Sequence, residues 1–366
     1  MLSFFSKLKY FDIPLLISTL LLSLVGLSIL YSTSLSTEST AIFWRQLTFW
    51  GIGAVAFFFF AFFDYHQMAK INRAAYVLFI VLLGILLVIG SDIRGGRRWF
   101  DVGFFRFQPA EFVKLVVILG LARLLYLQRG AINHWKTIII SFLYAFIPAA
   151  LVLLEPDLGS SLVLIGIWAG MIFISQIKKR YVAIIITTGL IIAGFSWQFL
   201  LKDFQKSRIE VFLNPSLDPR GRGYNVRQAA IAVGSGQWFG RGLGKGLQSQ
   251  NKFLPERQTD FIFAASAEEI GFFGISALLA LFFFLFSRLL KIMRKAKDDL
   301  GMYIVGGVFF FLLIHVVINI GMNIGILPVT GIPLPFMSAG GSSLFIVLCS
   351  LGIVQNIAME SKALRF

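Results

Sequence analysis

The chain has 366 residues, 57% of them hydrophobic and 14% charged, with a mean hydropathy of +0.82 and a formal net charge of +15. A soluble domain carries about 25% charged residues, so this composition excludes one and specifies a protein that lives in a bilayer. The basic excess would point to nucleic acid on a soluble domain; here it fits the Lys- and Arg-rich cytoplasmic loops of a membrane protein, and no nucleic-acid partner is expected.

Ten transmembrane helices are predicted, at 13–31, 41–63, 74–90, 111–128, 137–154, 158–176, 181–201, 263–287, 302–325 and 338–360. Each is an apolar run near the ~20 residues that cross a hydrocarbon core. Lys7 and Lys9 precede the first run as in a secretory signal, but the run is long and Tyr31–Thr40 has no A-x-A cleavage site, so an uncleaved span is expected. With the N-terminus inside, seventeen Lys and Arg residues fall on inner segments, and the outer turns at 155–157 and 326–337 hold none. The positive-inside rule then puts both termini in the cytoplasm. The expected fold is an all-α polytopic membrane protein. It is one integral membrane domain over 1–366, with one large extracellular loop, 202–262, between helices 7 and 8.

Two outer segments run against the charge rule. Ser91–Ala110 carries Arg94, Arg97, Arg98 and Arg106, and Lys202–Ile262 carries ten basic residues against five acidic ones. Long loops are exempt from the rule and short ones are not. An anionic ligand on the outer face would explain the short segment; a solvated loop or lipid headgroups are the alternative.

Four constellations could carry chemistry. In the first, Arg97, Arg98 and Trp99 precede Gln108-Pro109-Ala110-Glu111-Phe112-Val113-Lys114. Paired arginines can hold phosphate, and Glu111 and Lys114 lie one turn apart on one helical face. That pair either holds the bundle together or borders a substrate cavity. The second is the turn Glu155-Pro156-Asp157, where Asp157 either caps the next helix or offers a carboxylate to a ligand. The third is the glycine-rich stretch 214–246, ending in Leu254-Pro255-Glu256-Arg257-Gln258-Thr259-Asp260-Phe261. Asp260 sits where a polar loop meets an apolar span, so it is either a partly desolvated general base or, with Thr259, the N-cap of that span. Glu268 and Glu269 follow two turns deeper and are expensive in lipid. The fourth is His315, Asn319 and Asn323, spaced by four and best read as interhelical hydrogen-bonding groups. They lead into a segment with Pro328, Pro333 and Pro335, then Ser338 to Ser343. A non-helical segment at membrane depth needs burial in protein or a water-lined cavity. A single cysteine, three histidines and the absence of HExxH or CxxC argue against a structural or catalytic zinc.

These constellations, in this order, resemble the shape, elongation, division and sporulation (SEDS) family over nearly the whole chain, most specifically from Asn319 through Ser343 and from Phe253 to Glu269. Gln258 stands where the family usually has His, and Ala339 is a second, milder departure. Gly103 to Pro109 and Gln248 to Arg257 look more like the elongation branch, RodA, than the division branch, FtsW. The resemblance implies an inverting peptidoglycan glycosyltransferase of the bacterial cytoplasmic membrane. It would polymerise lipid II on the outer face, with a class B penicillin-binding protein as partner. It implies that Asp260 matches the family's essential aspartate, and Glu111 and Lys114 its fourth-span acid and lysine. An α-linked donor and a β-linked product require one displacement, with a base on the acceptor 4-hydroxyl. Pyrophosphate leaves readily, so the second carboxyl that a glycosidase needs is dispensable. Positive charge for the leaving group would come from Arg97, Arg98, Arg208, Arg220, Arg222 and Lys245, or in part from a divalent cation such as Mg or Mn. Asp157, Glu256, Asn319, Ser338 and Ser342 complete the candidate substrate-binding set. A lipid II flippase and a scaffold for the penicillin-binding protein are the rival functions.

Overall fold

The computed structural model describes residues 9–35, 40–93, 96–102, 105–129, 134–199, 203–219 and 221–363. Helices α1 (Ile13–Ser34), α2 (Ala41–Phe62) and α3 (Tyr65–Ile89) are followed by strands β1 (Ser91–Ile93), β2 (Gly96–Val102) and β3 (Phe105–Phe107). Helices α4 (Pro109–Leu127), α5 (Trp135–Leu154), α6 (Leu158–Ile174) and α7 (Lys179–Phe199) come next. Then come α8 (Asp203–Leu213), α9 (Arg222–Ser235), the short α10 (Leu247–Gln250), α11 (Ile262–Arg294), α12 (Asp299–Asn323) and α13 (Gly341–Ala363). Every predicted span overlaps one of these helices. Seven of them, α1, α2, α3, α5, α11, α12 and α13, are long and apolar enough to cross a membrane. Of the other three, α6 is apolar but only 17 residues long, and α4 carries Glu111, Lys114 and Arg123 within its 19 residues. Helix α3 starts at Tyr65, ahead of the predicted 74, because hydropathy reports the apolar core of a helix and misses the turns that carry Lys70 and Arg73.

The core is a helix bundle with α13 at its centre: 94% of its apolar window is buried. One polar side chain inside it is satisfied by main chain. The Asn356 amide donates to the Ala61 carbonyl (2.8 Å) and accepts from the Tyr65 N–H (3.3 Å), fastening α13 to the α2–α3 corner. Two segments read as loops have structure of their own. Residues 91–107 form an antiparallel meander, β1-β2-β3, with Phe100 opposite Phe107. The stretch 202–262 holds α8, α9 and α10, and a small apolar core of Ala229, Ala232, Leu254, Phe261, Ala264 and Ala265 seats α9 against α11. Three- and four-residue spacings of small side chains allow that close helix contact.

Helix α11 is broken at Gly271, whose φ of +67° and ψ of −169° are accessible to glycine and almost nothing else. A break frees main-chain groups, which must find partners when buried. The loop after α9 supplies them. Arg241 and Gly242 N–H groups donate to the Glu268 and Glu269 carbonyls (2.9 and 3.0 Å), and Phe272 and Phe273 N–H groups donate to the Gln237 and Trp238 carbonyls (2.8 and 3.1 Å). The backbones approach so closely that a Cβ on Gly271 would collide with the Gly240 nitrogen. Glu268 and Glu269, costly in lipid, are protein-bound instead. The Glu268 carboxylate accepts from the Gln248 and Ser249 N–H groups (2.7 and 2.9 Å), and Glu269 accepts from the Gln250 amide (3.2 Å).

Gly271→Ala should therefore destabilise the folded protein by at least about 1–3 kcal/mol, the strain of a forced backbone conformation alone. Gly84→Ala, in α3 with no atom within 4 Å of where a Cβ would stand, should be neutral or slightly stabilising. Thermal unfolding of the two purified variants separates them; equal melting temperatures would contradict the role given to the break.

Candidate active site

The loop before α11 ends at Asp260, and the helix starts at Ile262 with Phe261 at the N-cap position. The capping alternative for Asp260 and Thr259 is not what the fold adopts. Thr259 Oγ1 turns back onto Glu256, donating to its carbonyl (3.3 Å) and carboxylate (3.0 Å). The first turn of α11 is served from the neighbouring helix, where Asn323 Oδ1 accepts from the Ala264 N–H (3.0 Å). Asn323 Nδ2 also donates to the Asp260 carbonyl (2.9 Å), and Asn319 Nδ2 donates to the same oxygen (3.1 Å) and to the Ile332 carbonyl (2.8 Å). The fourfold spacing on α12 thus places two carboxamides on one main-chain oxygen. The Asp260 side chain is half-buried, and its Oδ2 lies 3.6 Å from where a Cβ of Gly331 would stand. Gly331 has a φ of +78°, so glycine serves both the turn and the space beside the carboxylate.

The non-helical segment 324–340 is exposed at Ile324 to Ile326 and at Gly331, and buried from Leu334 to Ser338. Ser338 Oγ donates to the Thr259 carbonyl (2.6 Å) and accepts from the Leu334 N–H (2.8 Å). Ala339 N–H donates to the Gln258 carbonyl (2.7 Å). Gln46 of α2 bridges the Ser338 carbonyl (3.1 Å) and the Gly340 N–H (3.0 Å). Asn319 and Ser338 are buried, with Asn319 Nδ2 and Ser338 Oγ on main chain and Asn319 Oδ1 accepting from Asn323 Nδ2 (3.3 Å). Ser342, also buried, donates from Oγ to the Arg106 carbonyl (3.3 Å), which joins the β-meander to α13.

One turn before Asn319, His315 reaches the pair on α4. Lys114 Nζ is 2.5 Å from Glu111 Oε1 and 3.3 Å from His315 Nε2, and His315 Nδ1 is 3.1 Å from the Pro333 carbonyl. A carbonyl only accepts and an ammonium only donates, so the ring proton belongs on Nδ1 and Nε2 accepts from Lys114. All three side chains are buried, Glu111 at 2% and Lys114 at 1% exposure. Glu111 Oε2 has no hydrogen-bond partner among the described residues, which leaves one acceptor of the pair unused. The two charges neutralise each other, as burial demands.

The turn after α5 forms the neighbouring wall. Asp157 caps α6: Oδ1 accepts from the Ser160 N–H (3.0 Å), and Oδ2 accepts from Ser160 Oγ (3.0 Å) and Gln108 Nε2 (3.4 Å). Arg98, from β2, donates to the Glu155 carbonyl (3.0 Å) and to the Pro156 carbonyl, so its guanidinium is fixed to this turn. Gly159 abuts Thr330 and Ile332, and so brings the turn alongside the segment next to Asp260. Glu155 is 1% exposed, with neither carboxylate oxygen hydrogen-bonded among the described residues. Burial, aided by the Asp157 charge and opposed by Arg98, raises its pKa to about 8. It carries a proton at neutral pH. Glu155 belongs to a turn singled out in the sequence but was not selected as a site residue, because burial of an acid beside a capping aspartate is a tertiary fact.

Glu256 shares the turn of Asp260, its carbonyl accepting from the Thr259 and Phe261 N–H groups (3.1 Å each). Lys245 is exposed on the loop, Glu256 is engaged by Thr259, and Arg106 pairs with Asp101 (3.5 Å). Arg220 and the side chains of Arg97, Arg208 and Arg222 lie outside the described residues.

Glu155 yields a pH signature. Its folded pKa is raised, so the native state holds a proton that the unfolded chain releases between about pH 4.5 and 8. Stability should fall with rising pH across that window, by at most about 1.4 kcal/mol per unit. Glu155→Gln keeps the shape and removes the slope, so the variant should gain on wild type as pH rises from 5 to 8. Parallel melting-temperature profiles for the two proteins would contradict this.

Comparison with known proteins places this geometry. The family of FtsW, RodA and SpoVE, described as cell cycle proteins, matches residues 10–363. The peptidoglycan glycosyltransferase MrdB of Escherichia coli K12 is 40% identical over 290 residues, 79% of this chain and 78% of that protein. Stage V sporulation protein E of Bacillus subtilis 168 is 38% identical over 362 residues, 96% of this chain and 98% of that protein. A chain solved in a study of how a peptidoglycan synthase complex coordinates polymerization and crosslinking superposes with a TM-score of 0.83 at 28% identity, covering 96% of this chain and 98% of that chain. The rod shape determining protein RodA of Thermus thermophilus superposes with a TM-score of 0.71 at 27% identity, covering 95% and 96% of the two chains. The chain belongs to the FtsW, RodA and SpoVE family of cell cycle proteins, the SEDS family that its loops resemble.

Proposed function

We propose that this membrane protein is a peptidoglycan glycosyltransferase that polymerises lipid II for cell elongation and shape. The observation that carries the proposal is the Asp260 carboxylate, half-buried beside Gly331, on a backbone held by Asn319 and Asn323. MrdB, a relative at 40% identity, is named for this activity. In the reaction the acceptor 4-hydroxyl attacks the anomeric carbon of the donor as Asp260 takes its proton. The bond from that carbon to the pyrophosphate oxygen breaks, the pyrophosphate leaves with the electron pair, and the configuration inverts. A carboxylate suits this task where the apolar surroundings and a fixed backbone hold it in reach. Lys114 and Glu111 form a buried, mutually neutralised pair that reaches the same segment through His315 and the Pro333 carbonyl.

The orientation in the proposal follows the charge distribution. Ten spans, cytoplasmic termini and a site on the outer face of the bacterial cytoplasmic membrane put the 202–262 stretch beside the lipid carrier. The elongation branch and a class B penicillin-binding protein as partner fit the likeness to RodA and to a chain from a peptidoglycan synthase complex. A protein-held divalent cation does not fit the described side chains: none of their His, Cys, Asp and Glu residues form a group of three or more suited to a metal, and Asp157 is engaged by Ser160 and Gln108. A cation, where one takes part, would arrive with the pyrophosphate.

Asp260→Asn preserves size and should leave folding intact, while polymerisation of labelled lipid II by the purified protein with its partner should fall by at least ~10²-fold. Glycan chain length from matched amounts of folded complex is the readout. Full-length polymer from the variant would remove Asp260 as the base. Movement of lipid II across vesicle membranes by a wild-type protein that makes no polymer would favour the flippase.

A further inference from the structure

A polar cavity lies at the opposite end of α3 and α4 from the candidate active site. It has a volume of about 250 Å³ and is lined by Asn72 and Arg73 of α3, Arg123 and Gln128 at the end of α4, and Tyr144 of α5. No acidic side chain lines it among the described residues. Arg123 donates to the Ala69 and Lys70 carbonyls (3.0 and 2.8 Å), and Asn72 donates to the Val116 carbonyl (2.9 Å), so the back wall is built and rigid. Arg73 makes no hydrogen bond or ion pair to any described residue, though it lies near the Tyr144 phenol.

The place of Arg73 makes this unusual. It is the ninth residue of α3, about 12 Å from the helix start at 1.5 Å per residue. Arg73 is exposed at the edge of an apolar surface: Lys70 and Gln67 are exposed on the turns before it, and Ile71 and Val77, each 61% exposed, mark the surface that faces lipid. A guanidinium where polar turns give way to such a surface is placed for a counter-charge in the headgroup layer. Two guanidinium groups converge on one cavity with no carboxylate between them, which is stable when an anion separates them. The polar first turns of α3, the apolar flank that follows and the convergence of the two guanidinium groups all describe the boundary between headgroups and acyl chains. Basic pockets between membrane helices at this level bind anionic headgroups.

We propose that this cavity is a binding site for an anionic phospholipid, with the headgroup phosphate on Arg73 and Arg123 and the acyl chains along the exposed face of α3. Arg73 supplies a free fork of donors for two phosphate oxygens, and Tyr144 and Gln128 are placed for headgroup hydroxyls. The site belongs to the same two helices that frame the Glu111–Lys114 pair, yet uses none of its residues.

The test uses the full-length protein in detergent, titrated with phosphatidylglycerol, phosphatidylcholine or inorganic phosphate, and read by native mass spectrometry and thermal unfolding. Phosphatidylglycerol should be retained at one site and raise the melting temperature. Phosphatidylcholine should bind at least about tenfold more weakly, and millimolar phosphate alone should give no shift. Arg73→Gln should weaken the phosphatidylglycerol site about tenfold. Arg73→Lys, which keeps the charge and loses the fork, should fall between and provides the variant if the first does not fold. Equal binding of the two lipids by wild type, or wild-type affinity in the Gln variant, would overturn the site. Stabilisation by inorganic phosphate equal to that by the lipid would overturn the lipid as its ligand.

Discussion

Two carboxamides on one carbonyl organise this molecule. Asn319 and Asn323 both donate to the main-chain oxygen of Asp260, and through Ile332 and Ala264 they also grip the 324–340 segment and the start of α11. Two stretches distant in sequence, 260–264 and 319–332, meet there. Hydrogen bonds of this kind inside a membrane bundle are individually modest, about 0.6 kcal/mol on average. Their geometric effect is larger than their energy: they fix a loop–helix junction, which would otherwise fray, against a rigid helix. The Asp260 carboxylate is aimed by its backbone, since its side chain has only two torsions.

That junction depends in turn on how the glycine-rich loop is fastened. The break at Gly271 turns a helix interior into a set of main-chain donors and acceptors, and the 237–242 loop fills them. Glu268 then holds the start of α10 by its carboxylate. A loop with many glycines gains order from this and remains short of side-chain bulk near the cavity. The Glu111–Lys114–His315 group and the Arg98-bound turn are attached to the same segment from the other side, by Pro333 and by the packing of Gly159. Charge is thus brought near Asp260 without exposing it to lipid.

Much of this was legible in the sequence. Each predicted apolar run falls on a helix, and seven of these helices are long and apolar enough to cross a membrane, since burial in lipid demands length and low charge. The fourfold spacing of His315, Asn319 and Asn323 foretold interhelical hydrogen bonds, and Asp157 is the helix cap its position suggested. What was not legible is tertiary. The β-meander at 91–107 has strands of three to seven residues, too short for a periodic signal. The helices in 202–262 have mixed composition and are stabilised by contact with α11. Asp260 and Thr259 had the pattern of a helix cap, but a carboxamide from another helix took that place, which no local rule foresees. The main-chain partners of Ser338 and Asn319 were likewise not legible, because they come from segments brought together by the fold.

The central claim is that this clamp places Asp260 for catalysis and does not merely hold the fold. The most direct measurement is kcat and KM for lipid II with folded Asn319→Ala, alongside its melting temperature. Misplacing a catalytic group by about 1 Å can lower turnover by ~10²-fold. The account predicts a fall in kcat of at least about tenfold, with KM and partner binding nearly unchanged. Wild-type kcat from Asn319→Ala, with only a lower melting temperature, would contradict it.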